Sequence, residues 1–295
     1  CIAPYASAQD PPPTACTDCH NEQRDGKFPG SPQKLLADSV HKTLDCTDCH
    51  QTLSMEKLDR AARRPHGDSV KPVNCTECHE EVGKVYVLHG RMAAGKDPDF
   101  PRCRDCHGSH DILPSSNRDS RVHPMNLAAT CESCHTNVDV IKNHEWLKEE
   151  PIKLYESSVH GRATQRGLHM AATCSDCHSA SGPDGSRTAH RILSAADRES
   201  TIFHFNIPDT CGKCHRGIAE DYWEGIHGQL VKRGEVDAPV CTRCHGEHGI
   251  LAASDLRSPV SAARLAEATC APCHESALLS DRYGIPSGRL KSYVD

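Results

Sequence analysis

Apolar residues are scattered along this chain: every stretch is interrupted by charge, proline or glycine, and no run approaches the ~18 residues of a membrane span. The segments with helical spacing are short. Ile218–His227 (IAEDYWEGIH) and Val82–His89 (VGKVYVLH) suit short helices, and the glycines that follow, Gly228 and Gly90, match the left-handed residue that closes a helix. Tyr155–Gly161 (YESSVHG) ends in the same way. Asp38-Ser39-Val40 resembles Ser157-Ser158-Val159, although His41 is followed by Lys42. A second marker is extended in character. Gly108-Ser109-His110-Asp111-Ile112-Leu113 parallels Gly246-Glu247-His248-Gly249-Ile250-Leu251, and His190-Arg191-Ile192-Leu193 repeats it after an insertion. The pattern predicts short helices in a mostly coil chain, with little or no β structure.

Composition deepens the problem of what fills the interior. Hydrophobic residues make up 37% of 295 positions even with 19 cysteines counted, aromatics 4%, and there are 20 glycines and 19 prolines. A chain of this length ordinarily needs a substantial apolar core, so something other than side chains must supply one. The formal charge of -6 is mixed along the sequence, without the basic stripe that neutralises phosphates, which argues against a nucleic-acid partner.

The cysteines answer the question. Eighteen of them form nine Cys-x-x-Cys pairs, each followed at once by histidine: Cys16, Cys19 and His20; Cys46, Cys49 and His50; Cys75, Cys78 and His79; Cys103, Cys106 and His107; Cys131, Cys134 and His135; Cys174, Cys177 and His178; Cys211, Cys214 and His215; Cys241, Cys244 and His245; and Cys270, Cys273 and His274. Two thiols at this spacing add to the two vinyl groups of a haem while the adjacent imidazole ligates its iron. Zinc knuckles also use paired cysteines, and an even cysteine count suits a disulfide framework. Neither needs the final histidine. The cofactor expected is therefore nine haem c groups with their iron.

The motifs fall into repeats of two. Between and after them recur two classes of histidine that are candidates for the second ligand of each iron. The first class is His41, His89, His160 and His227; the second is His66, His110, His190 and His248. His123 and His204 precede the fifth and seventh motifs, but the matching place before the ninth carries Ser261, so this third class is dispensable. His144 and His169 lie outside the pattern and read as surface or packing residues, as do Met55, Met92, Met125 and Met170, which occupy no recurring position. Eight second ligands leave the ninth motif without one. The similar settings of Tyr155 before His160 and of Tyr293 place the ninth ligand beyond Asp295 or on a neighbouring subunit.

On its CxxCH motifs and its Ser-x-His-Gly and CHGxH signatures the chain resembles the multihaem c-type cytochromes, a class that includes cytochrome c3-like, decahaem conduit and extracellular filament cytochromes. The resemblance implies an elongated haem-stacked array, export from the cytoplasm with a periplasmic, outer-surface or extracellular location, and electron transfer with other redox proteins or further copies of the same chain. Histidine on both faces of an iron suits electron transfer and blocks substrate access. The alternative is a multihaem reductase or oxidase with one open haem. Residues 16–295 read as one nonahaem domain of four two-haem repeats plus a terminal haem, after a tether over 1–15. Cys1 resembles a lipidated lipoprotein cysteine followed by the Pro-rich stretch Asp10–Pro13, while Ala6-Ser7-Ala8 offers a rival signal-cleavage site. A denatured-protein pyridine haemochrome assay is expected to return nine haems per chain, and Cys75→Ala/Cys78→Ala to return eight; a zinc or disulfide protein returns none.

Overall fold

The computed structural model describes residues 16, 20, 32–53, 71–144, 150–181, 187–286 and 288. Cys1, the tether, Cys19, Met55 and His66 lie outside these residues. The chain gathers into two compact units, one from Cys1–Lys84 with Pro101–Asn126, the other from Val85–Phe100 with Leu127–Asp295. In both, the regular structure is mainly helices of three to nine residues, separated by coil and turns. No described helix is long and apolar enough to cross a membrane.

The described motifs make a helical turn, alone or joined to a longer helix, for a local reason. The N–H of the motif histidine donates to the carbonyl of the first cysteine, as His50 does to Cys46 (2.9 Å), His79 to Cys75 (3.0 Å) and His215 to Cys211 (3.0 Å). In four motifs the residue just before the second cysteine is aspartate, and in the three of these where it is described its carboxylate accepts the backbone N–H of the N-cap residue: Asp48 from Asp45, Asp105 from Arg102 and Asp176 from Thr173, at 2.7–2.8 Å. That carboxylate satisfies one of the donors a helix start leaves over, so the variable positions of CTDCH, CRDCH and CSDCH are part of the turn.

Two of the first-class histidines, His160 and His227, sit on an elbow between two helices. The helix Arg216–Glu224 stops at Gly225, and Ile226–Lys232 begins at once with His227 as its second residue; Pro151–Ser157 and Val159–Gln165 repeat this around Ser158 and His160. The Ser158 hydroxyl caps the new helix by accepting from Gly161 N–H (3.0 Å). The expectation that Gly161 and Gly228 close a helix is therefore corrected. Both lie inside the second helix and are glycine because the first helix leaves no room for a side chain: a Cβ would stand 2.0 Å from the Tyr155 carbonyl oxygen at Gly161 and 2.2 Å from that of Tyr222 at Gly228. Gly90 does take a left-handed φ of 63°, but within a strand.

That strand belongs to a small sheet in the second unit. β1 (Leu88–Gly90), β2 (Met92–Ala93), β3 (Ser179–Ser181) and β4 (Arg187–Leu193) lie in the order β2-β1-β4-β3, with β1 and β4 parallel in the register His89 to Ile192. The sheet exceeds the expectation of little or no β structure only slightly. Its strands are too short and too polar to show alternation in sequence.

The same backbone contact occurs without a sheet elsewhere. Val40 N–H donates to Ile112 O and Val159 N–H to Ile250 O, both at 2.8 Å, so the residue before a first-class histidine is pinned to the Ile of the second marker. The Leu that follows is also used. Leu113, Leu193 and Leu251 accept from the hydroxyls of Ser120, Ser200 and Ser258 at 3.2–3.4 Å. These serines open a common strap into the next motif, in which the third residue onward returns its N–H to the serine carbonyl at 3.1 Å: His123, Phe203 and Ser261. His123 therefore corresponds to Phe203, and His204 lies one place later.

Side-chain burial matches the poor apolar supply. The largest fully buried side chains are Pro208 and four serines, Ser158, Ser200, Ser258 and Ser261. One apolar cluster forms where Val231, Ala238 and Val240 meet Phe205, Ile207, Tyr222, Trp223 and Leu230. Met92 is buried as expected of a packing residue, whereas Met170 is 83% exposed. The elbow gives a clean contrast: Gly228→Ala is expected to cost roughly 1–3 kcal/mol by overpacking, while Gly217→Ala, where the added carbon meets nothing within 4 Å, is expected to be neutral or stabilising by up to ~1 kcal/mol, both read by chemical unfolding.

Candidate functional site

Among the described residues, six motif histidines are seen to face a second histidine, and the spacing is nearly constant. Ring centroids lie 5.9 Å apart for His79 and His41, 6.2 Å for His50 and His110, 6.4 Å for His135 and His89, 5.9 Å for His178 and His248, 6.1 Å for His215 and His160, and 6.2 Å for His274 and His227. The angle between ring planes ranges from 7° to 61°. Distance is held while orientation is not. An imidazole nitrogen binds a divalent metal at about 2.0–2.1 Å and lies roughly 1.1 Å from its ring centroid, so two imidazoles facing each other across one metal atom have centroids about 6 Å apart. Rotation about the shared axis is then free.

The donors do not suit zinc. Four ligands of one tetrahedral zinc lie within a few ångströms of each other, yet among the described residues the motif thiols and imidazoles form no cluster of three within 4.8 Å. No disulfide joins the motif cysteines that are described. Haem fits better on three counts: the thiols stand apart from the imidazole pairs, the pairs have the spacing for one shared iron, and apolar side chains around them lack cover. Val40 (49% exposed) and Ile226 (68%) immediately precede His41 and His227, and Val138 (76%) and Ile218 (68%) stand three residues after His135 and His215. A porphyrin is the kind of apolar body such residues would line.

The pairing crosses the repeats in a regular way. A first-class histidine faces the odd-numbered motif of the following repeat: His41 the third, His89 the fifth, His160 the seventh and His227 the ninth. A second-class histidine faces the even-numbered motif of the preceding repeat: His110 the second and His248 the sixth. The expectation of a ninth partner beyond Asp295 or on another subunit is corrected, because His227 stands there. Sequence alone suggested no offset. The signal was the backbone bond from Val40 or Val159 to the next repeat's Ile, which no residue pattern displays.

In five of these imidazoles burial favours the neutral form, the one that ligates metal. Desolvation, with a smaller effect of His135, lowers His89 to about 4, and desolvation lowers His178 to about 4 with help from His248, His135 and His89. His160, His227 and His135 shift in the same direction, burial being the main cause. The Nδ1 atoms of His89 and His248 are buried without a hydrogen-bond partner.

The thiols of neighbouring motifs also meet in order. Within a repeat the first cysteines approach: a hydrogen bond from Cys211 brings Cys241 down to about 7, one from Cys131 lowers Cys174, and Cys16 with Cys46 and Cys75 with Cys103 make the same contact. Between repeats, the second cysteine of an even motif lies within electrostatic reach of the next odd motif, as Cys49 does of Cys75 and Cys78, and Cys244 of Cys270 and Cys273.

The remaining histidines are placed as follows. His20 donates its backbone N–H to Cys16 O (2.9 Å), and His107 ends the helix Cys103–His107. His190, on β4, has Nδ1 3.2 Å from the Thr188 hydroxyl and its ring 6.2 Å from Tyr86. His123 is buried, its Nδ1 accepting from Met125 N–H (3.2 Å). His204 packs edge-on against Phe205 at 5.0 Å. His144, expected at the surface or in packing, is mostly buried beside carboxylates of Asp99 (3.2 Å) and Asp97 (3.6 Å), an ion-pair geometry distinct from the imidazole pairs. His169 is exposed. No family model matches the chain, and no solved structure matches it.

Proposed function

We propose that this chain is an exported multihaem c-type cytochrome that carries electrons through covalently attached haems with histidine on both faces of most irons. The observation that carries the reading is the repeated spacing of 5.9–6.4 Å between a motif histidine and a second histidine. When bound, the haems supply one-electron chemistry at iron. The chain's part is to hold them. The cysteines of each pair would hold the porphyrin, the motif histidine would ligate its iron, and His41, His89, His110, His160, His227 and His248 would supply the second ligand at the third, fifth, second, seventh, ninth and sixth motifs.

Two neutral imidazoles lower the reduction potential relative to a methionine ligand and close both faces to substrate, which favours a carrier over a reductase. The order of thiol contacts within each unit supports electron passage from one motif to the next. Haem propionates add to the formal charge of -6, so a redox partner with a basic docking face would be steered to it, at a rate that falls with salt. That partner is another redox protein or a further copy of the chain.

Reversible reduction and reoxidation of all bound haem in a spectroelectrochemical titration is the expected behaviour; haem that cannot be cycled would sink the carrier reading. The ligand assignment has its own test. His227→Ala is expected to convert one iron to high spin by electron paramagnetic resonance, and that signal is expected to vanish when Cys270→Ala/Cys273→Ala removes the ninth haem. Its loss instead with Cys241→Ala/Cys244→Ala would assign His227 to the eighth.

A further inference from the structure

Three ionisable side chains of the second unit belong neither to a motif nor to an imidazole pair. Asp97, Asp99 and His144 bring two carboxylate oxygens and an imidazole nitrogen within 4.8 Å of one another, and all three lie in the unit formed by Val85–Phe100 and Leu127–Asp295. Local structure fixes each of them. In Asp97-Pro98-Asp99 the proline restricts the backbone at the turn, and the Asp99 N–H donates back to Asp97 Oδ1 (2.9 Å). His144 ends the helix Val138–Asn143, its N–H donating to Val140 O (3.0 Å), and Asn137 caps the start of that helix. From the same helix the Asn143 carboxamide donates to Asp99 Oδ2 (2.9 Å).

A histidine–aspartate ion pair accounts for this cluster poorly. His144 Nε2 stands 3.2 Å from Asp99 Oδ2 and 3.6 Å from Asp97 Oδ1, both longer than the distance of about 2.7–2.9 Å typical of a charged N–H donating to a carboxylate. Two ligands of one tetrahedral metal, each bonded at about 2.0–2.1 Å, stand about 3.3–3.4 Å apart, and the two observed distances straddle that value. Charge points the same way. The side chains of His144, Asp97 and Asp99 are only 12%, 21% and 22% exposed, and among the described residues no lysine or arginine pairs with either carboxylate. A protonated His144 would offset one of the two negative charges and leave the other in a largely buried place, which is costly. A divalent cation offsets both and uses the imidazole in its neutral form.

We propose that Asp97 Oδ1, Asp99 Oδ2 and His144 Nε2 hold a divalent transition-metal ion, with zinc the closest match and water completing its coordination. Calcium and magnesium take oxygen ligands, whereas an imidazole together with carboxylates is a zinc donor set. Asn143, bonded to Asp99, is the outer partner that orients a ligand. The ion ties the Asp97–Asp99 turn, just ahead of Cys103, to the helix that follows His135. It is a site separate from the haem motifs, and it gives His144 a role that the electron-carrier reading does not use.

The test uses the full haem-loaded chain, treated with a chelator, desalted into metal-free buffer and titrated with zinc ion alone. Elemental analysis after equilibrium dialysis is expected to find one zinc per chain more in the native protein than in His144→Ala/Asp99→Asn, verified by the pyridine assay to carry the native haem count. His169→Ala, at an exposed histidine, is expected to keep the native stoichiometry. Asn143→Ala is expected to weaken zinc binding roughly 10-fold. X-ray absorption at the zinc edge of the native protein is expected to show nitrogen and oxygen neighbours at about 2.0–2.1 Å with an imidazole contribution and no sulfur. Native protein that binds no zinc overturns the proposal, as does equal zinc binding by the His144→Ala/Asp99→Asn variant. A zinc shell containing sulfur overturns it too, because it places the ion on motif thiols; this measurement on native protein decides the matter even where the variant fails to fold.

Discussion

The distance between two facing imidazoles is the constraint on which the rest of this structure depends. Held at about 6 Å, the rings can share one metal atom; a shift of an ångström either way destroys that geometry. Neither ring is positioned by a large core. The motif histidine is fixed by an i to i+4 bond to its own cysteine, and the second histidine by a capped elbow such as Ser158–Gly161 or by a single backbone bond such as Val40 to Ile112. Short-range hydrogen bonds thus do the work that apolar packing does in most proteins, and the fully buried serines are their anchors.

This explains why an interior made of serine and proline is tolerable. A buried hydroxyl costs free energy unless it is hydrogen-bonded, and Ser120, Ser200 and Ser258 each reach the carbonyl of a Leu seven residues back. Ser261 is different. Its hydroxyl is buried without a partner, as is His204 Nε2; both occur in straps leading into odd motifs, where a cofactor carboxylate would be a natural neighbour. The exposure of Val138, Ile218 and Ile226 is the apolar counterpart, surface that this chain does not cover by itself.

Much of this was legible from residues alone. The nine motifs, the two classes of histidine and the short helices follow from spacing, and the His41, His89, His110, His160, His227 and His248 candidates all fall beside motif histidines. What sequence order could not convey was direction. Ser-x-His-Gly and His-x-Ile-Leu look like neighbours within one repeat, but the bond that joins them runs from Val159 of one repeat to Ile250 of the next. The glycines were misread for a related reason: a glycine after a histidine is equally compatible with a left-handed helix end and with a helix crowded by its predecessor. Only the Tyr155 and Tyr222 carbonyls decide between them. The small sheet was invisible because its pairing depends on partners about a hundred residues apart, His89 and Ile192.

The offset between repeats also orders events in time. On the function proposed above, a chain threaded out of a cell amino end first would present His41 before Cys75 and His160 before Cys211, so an odd-numbered motif would emerge with its second ligand already waiting. Even-numbered motifs emerge with theirs still inside: Cys46 precedes His110 by two motifs, and Cys174 precedes His248 likewise. Maturation would therefore advance in alternating steps, each repeat completing the one before it, and the growing end would always carry one half-ligated site until the following repeat arrives.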